Sequence, residues 1–271
     1  MLFRSKYEIK KNFFINVYGD LKTCNKIMIC LHGAGGNKTS NHITHFCNTF
    51  MDEFINDGCY ISFDMPGVEE NIFTNTFWGA QINSIDINID EIIEFVTNKN
   101  KSAKIFLSAV SASCIQLLAY MTDKKAIVKN KFKDKVKYFY LISPTGETDE
   151  TLNWVFENSK YHKYISFYHT YSQAKFLLKN SKYKKLSGIT ECFSDIKKSN
   201  YFINNCEKYE FDFNVKINNC DVILSKHDTI TDHEITVNFL NKFNKLNFVY
   251  YNLDRKSTRL NSSHVSESRM P

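Results

Sequence analysis

A chain of 271 residues with 43% apolar and 24% charged positions is long enough for one large α/β domain carrying an inserted cap, and too short for two such domains. Its 23 Phe and 15 Tyr are large apolar side chains that need a core, which excludes disorder over most of the chain. The formal charge of +6 comes from scattered lysines with no basic run interleaved with aromatics, so nucleic acid is not an expected partner.

Residues 7–21 alternate loosely and predict an N-terminal hairpin. The run IMICLHGAGG then reads as a buried strand stopped by glycines. Ile43, Phe46, Phe50 and Phe54 recur at helical spacing up to Gly58, and CYISFDMPG is again a buried strand, so the stretch is one β-α-β unit. The alternation continues with a helix in SIDINIDEIIEFVTNK, a strand in SAKIFLSA, a helix in SCIQLLAYMTDKKAIV and a strand in VKYFYLISP. From 147 to 216 it stops, and a Tyr, Phe, Lys and Asn-rich segment predicts a helical cap. CDVILSKHD, ITDHEITVNFLNKFNKL and LNFVYYNL then resume as strand, helix and strand. The expected fold class is therefore α/β, a doubly wound and mostly parallel sheet, with residues 1–146 and 217–254 as the core.

No run of about 18 apolar residues occurs and the N-terminus lacks a signal-peptide pattern, so no membrane span and a cytoplasmic location are expected. The eight cysteines include no CxxC pair and read as reduced, buried small side chains. Residues 255–271 differ from everything before them. Arg4 is the single arginine up to Asp254, whereas the tail holds Arg255, Arg259 and Arg269, five serines and no aromatic residue. That break in composition, and a resemblance to translated adaptor sequence, mark 255–271 as a non-native tail; a genuine disordered tail is the other reading.

The chemistry centres on Ala109-Val110-Ser111-Ala112-Ser113. A serine hydroxyl is a poor nucleophile at neutral pH and is activated by a sharp turn, a base and backbone N–H donors. The G-x-S-x-G elbow keeps small residues two places either side of the serine, and here those places hold Ala109 and Ser113. The motif lies between a strand and a helix, where the mechanism requires it. The plain alternative is that Ser111 only caps that helix. Ser108, on the strand, and Ser113, in a glycine place, are the rival serines.

His32-Gly33-Ala34-Gly35-Gly36 follows a buried strand upstream. A phosphate loop in the P-loop arrangement would need Lys-Ser or Lys-Thr directly after Gly36, where Asn37 stands. With the elbow, this loop makes residues 20–254 resemble the α/β-hydrolase superfamily. The resemblance implies oxyanion donors from the backbone N–H of Ala34 and Ala112 and structural roles for His32 and Asp64. It also implies a triad acid after the strand that follows the cap, where Asp228 stands, with Asp232 as its rival. The base should follow the last strand, where the foreign tail takes over. The third triad member is therefore read as lost, leaving His264 as the candidate; His233 sits in a helical pattern. The remaining histidines form no ligand set, so no metal and no cofactor are expected. The elbow also resembles that of bacterial luminescence acyltransferases, which implies a carboxylic ester or thioester substrate carried as a small molecule, on acyl-CoA or on acyl carrier protein. A non-catalytic binding protein and a serine peptidase of the same fold are the competing functions.

Overall fold

The computed structural model describes residues 4–10, 13–33, 37–54, 56–64, 82–111, 113–122, 132–145, 210–225 and 233–251. Eight strands form one sheet: β1 (Arg4–Lys10), β2 (Phe13–Tyr18), β3 (Lys26–Leu31), β4 (Gly58–Phe63), β5 (Lys104–Val110), β6 (Val136–Ile142), β7 (Cys220–Ser225) and β8 (Asn247–Tyr251). Their spatial order is β1-β2-β4-β3-β5-β6-β7-β8. The predicted hairpin is there, with β1 antiparallel to β2 and β2 antiparallel to β4; every other pairing is parallel. The doubly wound, mostly parallel α/β class is thus the observed one.

Burial explains the strand compositions. All six residues of β4 are buried and five of six in β3, because helices lie on both faces. The edge strand β1 instead alternates exposed and half-buried residues, as a strand with one wet face does. On one face, Ile27, Ile29, Leu31, Ile61 and Leu107 pack with Ile92 and Val96 of α2 (Ile82–Lys99), Leu117 and Leu118 of α3 (Ser113–Thr122), and Phe239 and Leu240 of α4 (His233–Leu240). Each fully buried side chain of this size contributes roughly 1.5–3 kcal/mol.

The other face is smaller. Met28, Cys30 and Tyr60 meet Ile43, Cys47, Phe50 and Met51 of α1 (Asn41–Glu53). Phe46 and Phe54, which share the helical spacing of Ile43 and Phe50, are half-buried and pack against the same cluster, Phe54 as the C-cap. Gly58 lets the chain return: a Cβ there would lie 2.7 Å from the Phe54 Cβ and 2.9 Å from Phe50 Cε1. The last helix is shorter than its apolar pattern, since after Leu240 the backbone closes single turns and Lys245 adopts φ +67°.

Of the cap expected at 147–216, residues up to 209 lie outside the described ones, as does the tail. From Glu210 onward the chain lies on the core: the Phe211 ring sits 5.4 Å from Phe239, and Asp212 N–H donates to Thr122 O at 2.9 Å. Cys24, Cys30, Cys47, Cys59, Cys114 and Cys220 are buried free thiols. Among the described residues, no helix is long and apolar enough to cross a membrane.

Candidate active site

Strand order places the site. β3 is flanked on both sides, Ile27 pairing with Cys59 of β4 and with Ile105 of β5. The chain leaves β3 for α1 on one face and leaves β5 for α3 on the other. Such a switch point opens a crevice at the carboxyl ends of the two strands, where open α/β sheets bind ligands. His32 and Gly33 stand at the end of β3 and Ser111 at the end of β5. Two motifs 79 positions apart in the chain therefore meet at one point.

The turn at Ser111 is tight. Its φ is +57°, a left-handed conformation that costs a non-glycine residue on the order of 1–2 kcal/mol and persists only when its surroundings impose it. Those surroundings are specific. Ser111 N–H donates to Ile142 O of β6 at 2.9 Å, and Cys114 N–H donates to Ser111 O at 2.9 Å. Cys114 Sγ also reaches Ala109 O at 3.2 Å and Ile142 O at 3.5 Å. A helix N-cap sits in the β region of backbone space, so this left-handed Ser111 does not have cap geometry.

The rival serines are in other circumstances. Ser108 is 5% exposed and faces Cys30 within the sheet. Ser113 is 2% exposed: its Oγ accepts Val110 N–H at 3.0 Å and lies 2.8 Å from Val110 O and 3.2 Å from Leu31 O. Ser111 alone of the three is half-buried. Gly33 abuts it, since a Cβ on Gly33 would stand 3.1 Å from Val110 O and 3.2 Å from the Ser111 Cβ. A side chain at 33 would press on the serine, which gives that glycine its physical reason.

Two residues after Gly36 in the chain, Lys38 forms a buried ion pair with Asp64. Lys38 Nζ contacts Asp64 Oδ2, the Lys38 N–H donates to Asp64 Oδ1 at 2.8 Å, and Ser62 Oγ donates to Lys38 O at 2.9 Å. The two side chains are 5% and 1% exposed. Asp64 therefore holds the chain at Lys38, a structural role as expected for it. Lys38 had no sequence signal, because its partner is 26 positions away. His32, buried, has its Nδ1 2.9 Å from Gly33 O, and burial lowers its pKa. Burial first, then the neighbouring His32, takes His42 down to about 4. Both imidazoles are thus held neutral, and neither is set up as a proton acceptor near neutral pH.

Ala34, Ala112, Asp228, Asp232 and His264 lie outside the described residues. His233 opens α4, its ring 6.0 Å from that of Tyr250, in line with its helical pattern. Among the described residues, no group of three or more His, Cys, Asp or Glu is placed to hold a metal ion.

No protein-family model matches the sequence, and no curated protein matches it either. Solved structures do. An esterase of Pyrococcus furiosus, Pf2001, superposes with a TM-score of 0.55 at 11% identity, covering 98% of this chain and 87% of its own. MenH from S. aureus gives 0.53 at 14% identity, with 93% and 94% covered. The 2-hydroxy-6-oxo-6-phenylhexa-2,4-dienoate hydrolase of Rhodococcus sp. strain RHA1 gives 0.52 at 13% identity, with 92% and 90% covered. Identity this low speaks for architecture alone. The sheet order, the helices on both faces, the turn at Ser111 and these likenesses together identify the chain as having the α/β-hydrolase fold.

Proposed function

We propose that the protein is a serine hydrolase or acyltransferase that cleaves a carboxylic ester or thioester through an acyl group carried on Ser111. The observation that carries this reading is the half-buried Ser111 at φ +57°, on a strand-to-helix turn at the switch point and against Gly33. The fold puts its ligand crevice there, and strain at such a residue is what a presented nucleophile requires.

The reaction runs in two halves. Ser111 Oγ attacks the acyl carbon, its proton passing to a base, and the tetrahedral oxyanion is held by backbone N–H groups, for which Ala34 and Ala112 are the proposed donors. Collapse expels the alcohol or thiol, which takes that proton. Water, or an acceptor alcohol in transfer, then attacks the acyl-serine by the same route. Asp228 is the proposed acid that orients the base. The base itself belongs after β8, where the composition changes at Arg255 and His264 is the candidate in the chain as it stands. Small-molecule acyl esters, acyl-CoA and acyl carrier protein are the substrate classes proposed, and a cytoplasmic location goes with them.

The experiment is fluorophosphonate labelling. It compares the chain as it stands with one carrying the genomic sequence that follows Asp254. The expected result is a phosphonyl adduct on the Ser111 peptide of the second chain, its loss in Ser111→Ala, and labelling of the first slower by on the order of ten-thousandfold if His264 does not serve as the base. No adduct at Ser111 in the second chain sinks the reading and leaves a non-catalytic binding protein. If labelling holds, a series of p-nitrophenyl acyl esters against acyl-CoA and a peptide amide separates esterase, thioesterase and peptidase.

A further inference from the structure

We propose that Ser113 is a positioning residue for Ser111: its side chain fastens the end of β3 to the elbow beyond the point where the sheet itself does so. The inference rests on Ser111 being the nucleophile. The parallel ladder between β3 and β5 ends at the pair Leu31 and Ala109. One residue later β5 turns away into the elbow, and no further rung can form. Ser113 Oγ spans that gap, accepting Val110 N–H at 3.0 Å and offering its one proton to Val110 O at 2.8 Å and Leu31 O at 3.2 Å.

The consequence concerns geometry at the reacting atom. Leu31 precedes His32 and Gly33, and Gly33 lies so close to Ser111 that a Cβ on it would come within 3.2 Å of the serine's own Cβ. Any sliding of β3 relative to the turn therefore moves the loop that begins at His32 against the Ser111 side chain. In the common elbow this position is glycine, which has no hydroxyl to offer. Here a buried serine supplies a three-atom tie instead. Misplacement of about 1 Å at a reacting centre costs as much as a hundredfold in rate, so a tie of this kind acts on the chemical step and leaves substrate binding alone.

The test uses the full-length chain with its genomic sequence after Asp254, and the variants Ser113→Gly and Ser113→Ala. Glycine is the residue usual at this place, so Ser113→Gly tolerates the turn, and Ser113→Ala serves if it does not fold. Fluorophosphonate labelling is followed as a function of reagent concentration, which separates the maximal rate from the half-saturating concentration. The expected result is a maximal rate lower by about tenfold to a hundredfold with half-saturation unchanged. Hydrogen exchange at the Val110 amide is expected to speed up in the same variants. Equal maximal rates, or a fall in melting temperature with no change in rate, overturn the inference while Ser111 labelling stands. Absence of labelling at Ser111 in the unsubstituted chain overturns both it and the reading beneath it.

Discussion

The ends of β4 and β5 flank the end of β3 at the carboxyl edge of the sheet and are built on opposite principles. After β4, Asp64 is 1% exposed and holds Lys38 through both its backbone N–H and its ammonium, with Ser62 bonded to the Lys38 carbonyl. After β5, Ser111 keeps a left-handed backbone and a side chain that is only half covered. The end of β4 pairs its buried charge on both carboxylate oxygens. The end of β5 accepts strain and leaves a hydroxyl presented. Strain at a partly open serine, set against the paired charges of Asp64 and Lys38, is the contrast expected of the nucleophile proposed above.

The largest expected effect bears on the β4 turn. Asp64→Ala removes the carboxylate that the buried Lys38 ammonium contacts, and urea denaturation should show a loss of about 3–5 kcal/mol. The double replacement Lys38→Met with Asp64→Leu should recover most of that. A single variant that costs under about 1 kcal/mol would mean the pair is solvated and the contrast between the turns is false.

A smaller effect of opposite sign is expected at the β5 turn. Ser111→Gly removes the Cβ that a positive φ penalises, so the folded chain should gain up to about 1 kcal/mol, less what glycine adds to unfolded-state entropy. A melting temperature raised by a few degrees, with labelling abolished, would separate stability from chemistry at one atom. A fall in melting temperature would show that Ser111 is there for packing.

The smallest effect is a pH slope on the β4 side. His42 has a folded pKa near 4 against an ordinary value of 6.5, driven by burial, and His32 is lowered for the same reason beside Lys38 and Asp64. Below about pH 6.5 the unfolded chain binds protons that the folded chain refuses, so stability from these groups is complete above that pH and declines toward pH 4. Urea midpoints between about pH 7 and pH 5 should fall in the parent chain and fall less in His42→Gln. An unchanged slope would place His42 in contact with water.

How much of this could be read beforehand differs from element to element. Strands β3, β4 and β5 were legible because burial on both faces leaves near-continuous apolar runs, whereas β7 and β8, only partly buried or exposed, were legible from their β-branched and aromatic residues. The turn at Ser111 was legible because it lies between a strand and a helix with small residues on either side. The apolar stripe of α1 was legible in Ile43, Phe46, Phe50 and Phe54, all of which pack on Met28, Cys30 and Tyr60 or their neighbours. Cys47 and Met51, which join the same cluster, carried no aromatic signal. The length of α4 was overstated because the apolar pattern runs on through Phe243, which packs by ring contacts with Phe239 and Phe211 after the helix has ended.

The sequence by itself determined the fold class and the strand-to-helix turn at Ser111, since periodicity and small residues are local properties of the chain. Only the tertiary structure decided that Ser111 is left-handed while Ser113 is tied to Leu31, that Gly33 stands against the serine, and that Lys38 answers Asp64. Those relations join residues 26 to 82 positions apart in the chain. They depend on strand order and register, which bring β3, β4 and β5 side by side, and no local pattern encodes that distance.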